Sequence, residues 1–179
     1  MLLYYDTETG QGLYAMQPPK DAPRPEGAYV ELGDVPAPAN LHLLRVDLDT
    51  LELEVVIPPV TAEDVTAERD RRINGGFTFG GVAYQTRPED RENMAGASTA
   101  ALSAIMNGAQ VGDVYWHGGA TPFSWIAQDN TLTEMDAQTM FAFGQAAMEH
   151  KQAHIFAARE IKDMDPIPQD FADDSRWPA

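Results

Sequence analysis

The sequence predicts an α+β fold: a small, proline-rich β module at the N-terminus, then an α-ββ-α-ββ-α domain closed by a long helix. Three observations predict it. Residues 1–59 hold most of the 13 prolines and several short β-prone runs, with no helical periodicity. Residues 60–164 carry three helix-start signals, each a threonine with a carboxylate three residues on: Thr61/Asp64, Thr86/Glu89 and Thr133/Asp136. Between those signals lie two aromatic runs interrupted by turn residues, the pattern of hairpins. The remainder, residues 165–179, reads DPIPQDFADDSRWPA, an acidic, proline-containing tail.

Within the first module, Leu2–Tyr5 and Leu13–Met16 flank the polar loop Asp6-Thr7-Glu8-Thr9-Gly10 and predict a hairpin. The run PPKDAPRPEG that follows excludes helix, because each proline removes a donor and constrains its neighbour. Residues 28–32 predict a short strand, and residues 41–46 and 51–57 two more around Asp47-Leu48-Asp49-Thr50. In the last of these, Leu51, Leu53 and Val55 alternate with Glu52, Glu54 and Val56, predicting one buried and one wet face.

The second region starts with a helix over about residues 61–73, N-capped by Thr61 and stapled by Val60 and Val65. A second helix, about 87–107, is expected behind an N-cap at Thr86. A third, about 134–163, is expected behind Thr133, with Met140, Phe141, Gly144, Met148, Ile155 and Ala158 near one face. Its length, roughly 45 Å at 1.5 Å per residue, predicts packing against another subunit or layer. Hairpin followed by capped helix occurs twice, which places Thr86 and Thr133 in equivalent positions.

The stretch GGFTFGG (Gly75–Gly81) poses the sharpest chemical question. A phosphate-binding loop needs Lys and Ser or Thr after its last glycine, whereas Val82-Ala83-Tyr84 follows Gly81. A dinucleotide site needs its glycines between a strand and a receiving helix. These glycines sit within an apolar alternation instead. Gly75 and Gly76 are therefore read as a helix stop, and Gly80 and Gly81 as a two-residue hairpin turn.

Composition narrows function further. A net charge of −16 repels nucleic-acid phosphates and anionic membranes. The absence of cysteine excludes disulfides and thiolate chemistry, and no apolar run reaches the roughly 20 residues that cross a bilayer. His150 and His154, four apart on the third helix, could ligate a metal, but Lys151 stands where a zinc protease needs Glu, so surface histidines are the favoured reading. The loop Tyr115-Trp116-His117-Gly118-Gly119 suits either a partner or core packing. The clustered aspartates of the tail lack the spacing of a calcium loop and read as a solvated face. Tyr115, Trp116, Phe171 and Trp177 remain as candidate partner contacts, and no catalytic, cofactor or metal set emerges.

The segment TAERDRRI, followed by GGFTFGGVAYQTRPEDRENMAGA and later by Phe123-Ser124-Trp125-Ile126, resembles a domain of unknown function found in proteins of tailed bacteriophages and prophages, often encoded near tail-fibre genes. The likeness spans about residues 61–163. The opening Tyr4-Tyr5-Asp6-Thr7-Glu8-Thr9-Gly10 resembles, more generically, the start of tail-fibre and fibre-assembly proteins. The resemblance implies a tail-tip, tail-fibre or fibre-attachment protein of the virion, made in the host bacterial cytoplasm. It implies action through contacts with other tail proteins and homo-oligomerisation, with a trimer as one form. A fibre-assembly chaperone is the alternative, and a glycan-degrading enzyme a remote one. The resemblance supplies no catalytic residues.

Overall fold

A computed structural model describes residues 1–17, 26–32 and 41–178, and the backbone but not the side chain of His42. Most of the proline run expected to be non-helical lies outside the described residues. The chain divides into two units, Met1–Pro59 and Val60–Ala179.

In the first unit, β1 (Leu2–Tyr5) pairs antiparallel with β2 (Gly12–Met16) and with β3 (Tyr29–Glu31), in the order β2-β1-β3. A second antiparallel pair joins β4 (Leu44–Val46) to β5 (Leu53–Val55). Leu3, Leu44 and Val46 form the core between them, and Tyr4 stacks on Tyr14 at 4.6 Å.

The two hairpin loops are copies of one device. Asp6 Oδ1 accepts from the amides of Glu8 and Thr9, and Asp47 Oδ1 from those of Asp49 and Thr50. Each loop then closes with an amide four residues on, Gly10 N–H to Asp6 O and Leu51 N–H to Asp47 O, both 2.8 Å. That closing residue takes a left-handed backbone, φ +73° at Gly10 and +58° at Leu51. Leucine pays a steric cost there that glycine avoids. The expected burial of one β5 face fails: Leu53, Glu54 and Val55 are all exposed among the described residues. Period-two alternation specifies a strand, but among the described residues this strand pairs only with β4 and nothing covers its apolar side.

The second unit holds three helices and two hairpins in the predicted order. Helix α1 (Ala62–Asn74) starts at Thr61, whose Oγ1 accepts from Asp64 N–H while Asp64 Oδ2 accepts from Thr61 N–H, a complete capping box. Val60 packs against the cluster holding Val65, as a staple would. Gly75 caps the helix end, and Gly76, at φ +102°, makes the exit; a Cβ there would lie 2.6 Å from Tyr84 O. Strands β6 (Phe77–Phe79) and β7 (Val82–Tyr84) pair around Gly80 and Gly81, whose φ of +59° and +81° are those of a tight primed turn. Helix α2 is Pro88–Met106, and β8 (Ser124–Ile126) and β9 (Leu132–Glu134) form the second hairpin. Helix α3 runs Ala137–Lys162, 26 residues and so about 39 Å.

Two of the three threonine caps are displaced. Thr86 is wholly buried and donates through Oγ1 to Ile73 O at 2.6 Å, closing the C-terminus of α1 rather than opening α2. Helix α2 is capped one residue later, at Arg87, whose N–H donates to Asp90 Oδ2. Thr133 lies inside β9 opposite Trp125, and the ladder continues to Met135 N–H, which donates to Phe123 O. Strand pairing thus delays the helix until Asp136, which becomes its N-cap. Thr86 and Thr133 are not equivalent, although the hairpin-helix order does recur.

The length of α3 is used within its own unit. Its first half runs antiparallel to α2, with Gly144 against Ser98, and its second half packs on α1 through Ala158, Ile161 and Val65. Residues expected on one face of α3 divide: Met140 and Ala158 are buried, whereas Met148 and Ile155 are exposed. One prediction concerns the strained loop. Leu51 is 56% exposed, so Leu51→Gly should stabilise the fold by about 1 kcal/mol, read as a rise in the thermal midpoint; an unchanged or lower midpoint contradicts the loop assignment.

Candidate docking surface

Helix α3 has two distinct sides. The inner side carries Phe143, fully buried, with Phe77, Phe79, Tyr84 and Trp125 around it at centroid distances of 4.7–5.4 Å. Both hairpins are thereby held against the α2–α3 layer, and Gln128 N–H donates to Ala83 O to join one hairpin to the other. No hairpin covers the outer side. There Met148, Ile155 and Phe156 are exposed, and a groove of about 400 Å³ runs between α2 and α3. Its floor is Ala95, Ser98 and Gly144, its apolar walls Phe141 and Met148. Gly144 makes the floor possible, since a Cβ there would sit 2.4 Å from Ser98 Cβ.

Arg91 and Lys151 also line this groove. Six arginines, at 69, 71, 72, 87, 159 and 176, pair with carboxylates at 3.0 Å or less. Arg91 instead donates to Asn74 Oδ1 and to Thr86 O, and Lys151 has no carboxylate partner among the described residues. Two cations without a carboxylate partner among the described residues therefore line this groove.

Helix α3 is positioned by Asp136, only 8% exposed. Its Oδ1 accepts from Thr139 N–H at 2.7 Å and its Oδ2 from Gly112 N–H at 2.6 Å. Hydrogen bonding by Thr139 above all, then by the Gly112 amide, holds this carboxyl below the usual range against the opposing effect of burial.

The candidate contact aromatics divide. Tyr115 is 51% exposed and available. Trp116 is turned inward: its Nε1 donates to Met135 O, and its ring meets Phe123 at 4.7 Å. Trp177 is buried against Val65, Ala158 and Ile161, with Phe171 packed beside it, so the tail docks on its own unit. The Arg72 guanidinium lies 5.2 Å over the Trp177 ring and also binds Ala172 O and Asp174 Oδ1. Proline and aspartate density pointed to a solvated segment; two aromatic side chains and one arginine decide otherwise.

The histidines are likewise not an exposed stripe. His154 is buried, donates through Nδ1–H to His150 O, and stacks toward Trp177 at 6.2 Å. His150 meets Phe77, and its Nε2 is buried without a hydrogen-bond partner. Burial first, then neighbouring His154, pushes the His150 ring below its ordinary value, while the Arg72 and Ile73 carbonyls partly oppose this. No group of three or more His, Asp or Glu among the described residues is placed to hold a metal. The hollow beside Gly81 is lined by Gln128, Asp129 and Thr131, so a carboxylate stands where a phosphate would need a cation.

Residues 58–175 match the family described as Domain of unknown function (DUF4376). The chain belongs to the DUF4376 family. The matched span contains all three helices, both aromatic hairpins and most of the docked tail, so the DUF4376 domain takes in segment 165–175 as well as the helical region. No curated protein and no solved structure matches the chain. No helix of the described residues is long and apolar enough to cross a membrane.

The cap of α3 supplies a pH test. A carboxyl held low in the fold stabilises it above the unfolded value of about 3.9 and loses that contribution as pH falls through the folded value. Asp136→Ala should cost about 1–2 kcal/mol near neutral pH, and the gap to the parent should narrow on acidification below about pH 4. Denaturant melts at two pH values measure this; a pH-independent gap would show that the carboxylate charge is not what caps the helix.

Proposed function

We propose that this chain is a structural component of a bacteriophage tail, a tail-tip, tail-fibre or fibre-attachment protein that acts by protein–protein contact. The observation that carries the reading is the apolar exposure along α3: Met148, 62% exposed, borders a groove edged by Arg91 and Lys151, and Phe156 is 58% exposed further along the helix. Large apolar side chains exposed on a well-packed helix layer favour a docking site. The order of the helix and hairpin motifs resembles phage and prophage proteins, which favours the tail as the place of action. Other tail proteins and further copies of the chain are its partners, and the virion tail its location after synthesis in the bacterial cytoplasm.

Mass spectrometry of purified particles from a phage encoding the chain tests this. Recovery in fixed stoichiometry with the tail proteins is expected. Its presence in infected lysate but absence from particles would overturn the structural role and favour an assembly chaperone.

A further inference from the structure

We propose that His150 is a proton-operated latch: when its ring takes up a proton, the segment 165–178 lets go of α1 and α3. The inference concerns this unit alone and does not rest on the docking reading above.

Two imidazoles lie between α3 and that segment. The rings of His150 and His154 are 4.5 Å apart, and His154, buried, runs nearly parallel to the Trp177 ring at 6.2 Å and 22°. Pro178, the next residue, lines a hollow together with His150, Gly76 and Phe77. His150 Nε2 is buried without a hydrogen-bond partner. A neutral ring can leave that nitrogen as a bare acceptor. The imidazolium carries N–H on both nitrogens, and a buried donor left unpaired is costly.

The surroundings offer a cation little. Helix α1 brings the carbonyls of Arg72 and Ile73, which already accept from Gly75 N–H and Thr86 Oγ1. It also brings the Arg72 guanidinium, which Glu68 and Asp174 neutralise. Helix α2 brings Arg91 and α3 brings His154, and both oppose a charge on His150. Strand β6 contributes Phe77, which has nothing to titrate. Glu149 and Lys151, adjacent on α3, are exposed to water. Burial, His154 and Arg91 thus hold the His150 ring below its ordinary value. A ring held low in the docked state favours docking fully above about pH 6.5, and that contribution is lost as pH falls from there toward the docked value.

The segment 165–178 is the element that yields. Its regular structure is one three-residue 3-10 turn, Asp174–Arg176, and it is held by Trp177 and Phe171 beside Val65, Ala158 and Ile161. Strand β6, by contrast, is fixed through Phe77 and Phe79 on the Phe143 ring. Undocking opens the hollow beside His150 to water, uncovers His154 and bares Val65, Ala158 and Ile161.

The Trp177 indole reports the latch, since its Nε1–H donates to Phe171 O at 2.7 Å. Trp116, whose Nε1–H donates to Met135 O, is the internal control. In proton–nitrogen correlation spectra of the full chain, lowering the pH from about 7.5 to about 5.5, a range in which Asp and Glu stay ionised, should move the Trp177 indole signal to its solvent-exposed position. The Trp116 signal should stay in place, and the Trp177 midpoint should coincide with that of the His150 ring carbons. His150→Phe keeps a ring against Phe77 but takes no proton, and should hold the Trp177 signal in its docked position throughout. A Trp177 signal that does not move in the parent, that moves equally in His150→Phe, or that moves together with Trp116 overturns the latch. Should the variant fail to dock at neutral pH, the parent decides: coincident midpoints support the latch and separate ones refute it.

Discussion

Four aromatic side chains from two separate hairpins converge on the buried ring of Phe143. Each hairpin has only two strands of three residues, too little to persist in water alone. What keeps them is the burial of Phe77, Phe79, Tyr84 and Trp125 against one helix. Aromatic pairs in tilted and edge-to-face geometry add about 0.5–1.5 kcal/mol each beyond the area they bury. The hairpins and the α2–α3 layer therefore stand or fall together.

This arrangement makes α3 two-sided. One side is occupied by the hairpins and by α1 and α2 along successive halves of the helix. The other is left with an apolar stripe, a groove and two unneutralised cations. Contact with another protein chain is the use proposed for that side. The tail segment does not compete for that side: Trp177 and Phe171 are spent on α1 and the far end of α3, under the Arg72 guanidinium.

Much of the fold could be read from residue order. Glycine pairs, alternation and the Thr61 box marked turns, strands and the first helix within a residue or two. Other features could not. Thr86 and Thr133 have the right residue types for caps, yet a tertiary hydrogen bond to Ile73 O claims one and strand pairing claims the other. Met140 and Met148 both look apolar from sequence, and helical periodicity does not say which of two apolar arcs is buried and which is bare. The inward turn of His154 and Trp177 depends on contacts between residues far apart in sequence, for which local pattern holds no signal. The same holds for β5, whose alternation specifies a strand without specifying a cover.

The most direct test of the shared aromatic anchor is amide hydrogen exchange on Phe143→Ala. A loss of about 3–5 kcal/mol in global stability is expected, with the amides of both hairpins, Phe77–Tyr84 and Ser124–Glu134, losing protection together. If one hairpin keeps its protection while the other loses it, or if stability barely changes, the two hairpins do not depend on a common ring and the account fails.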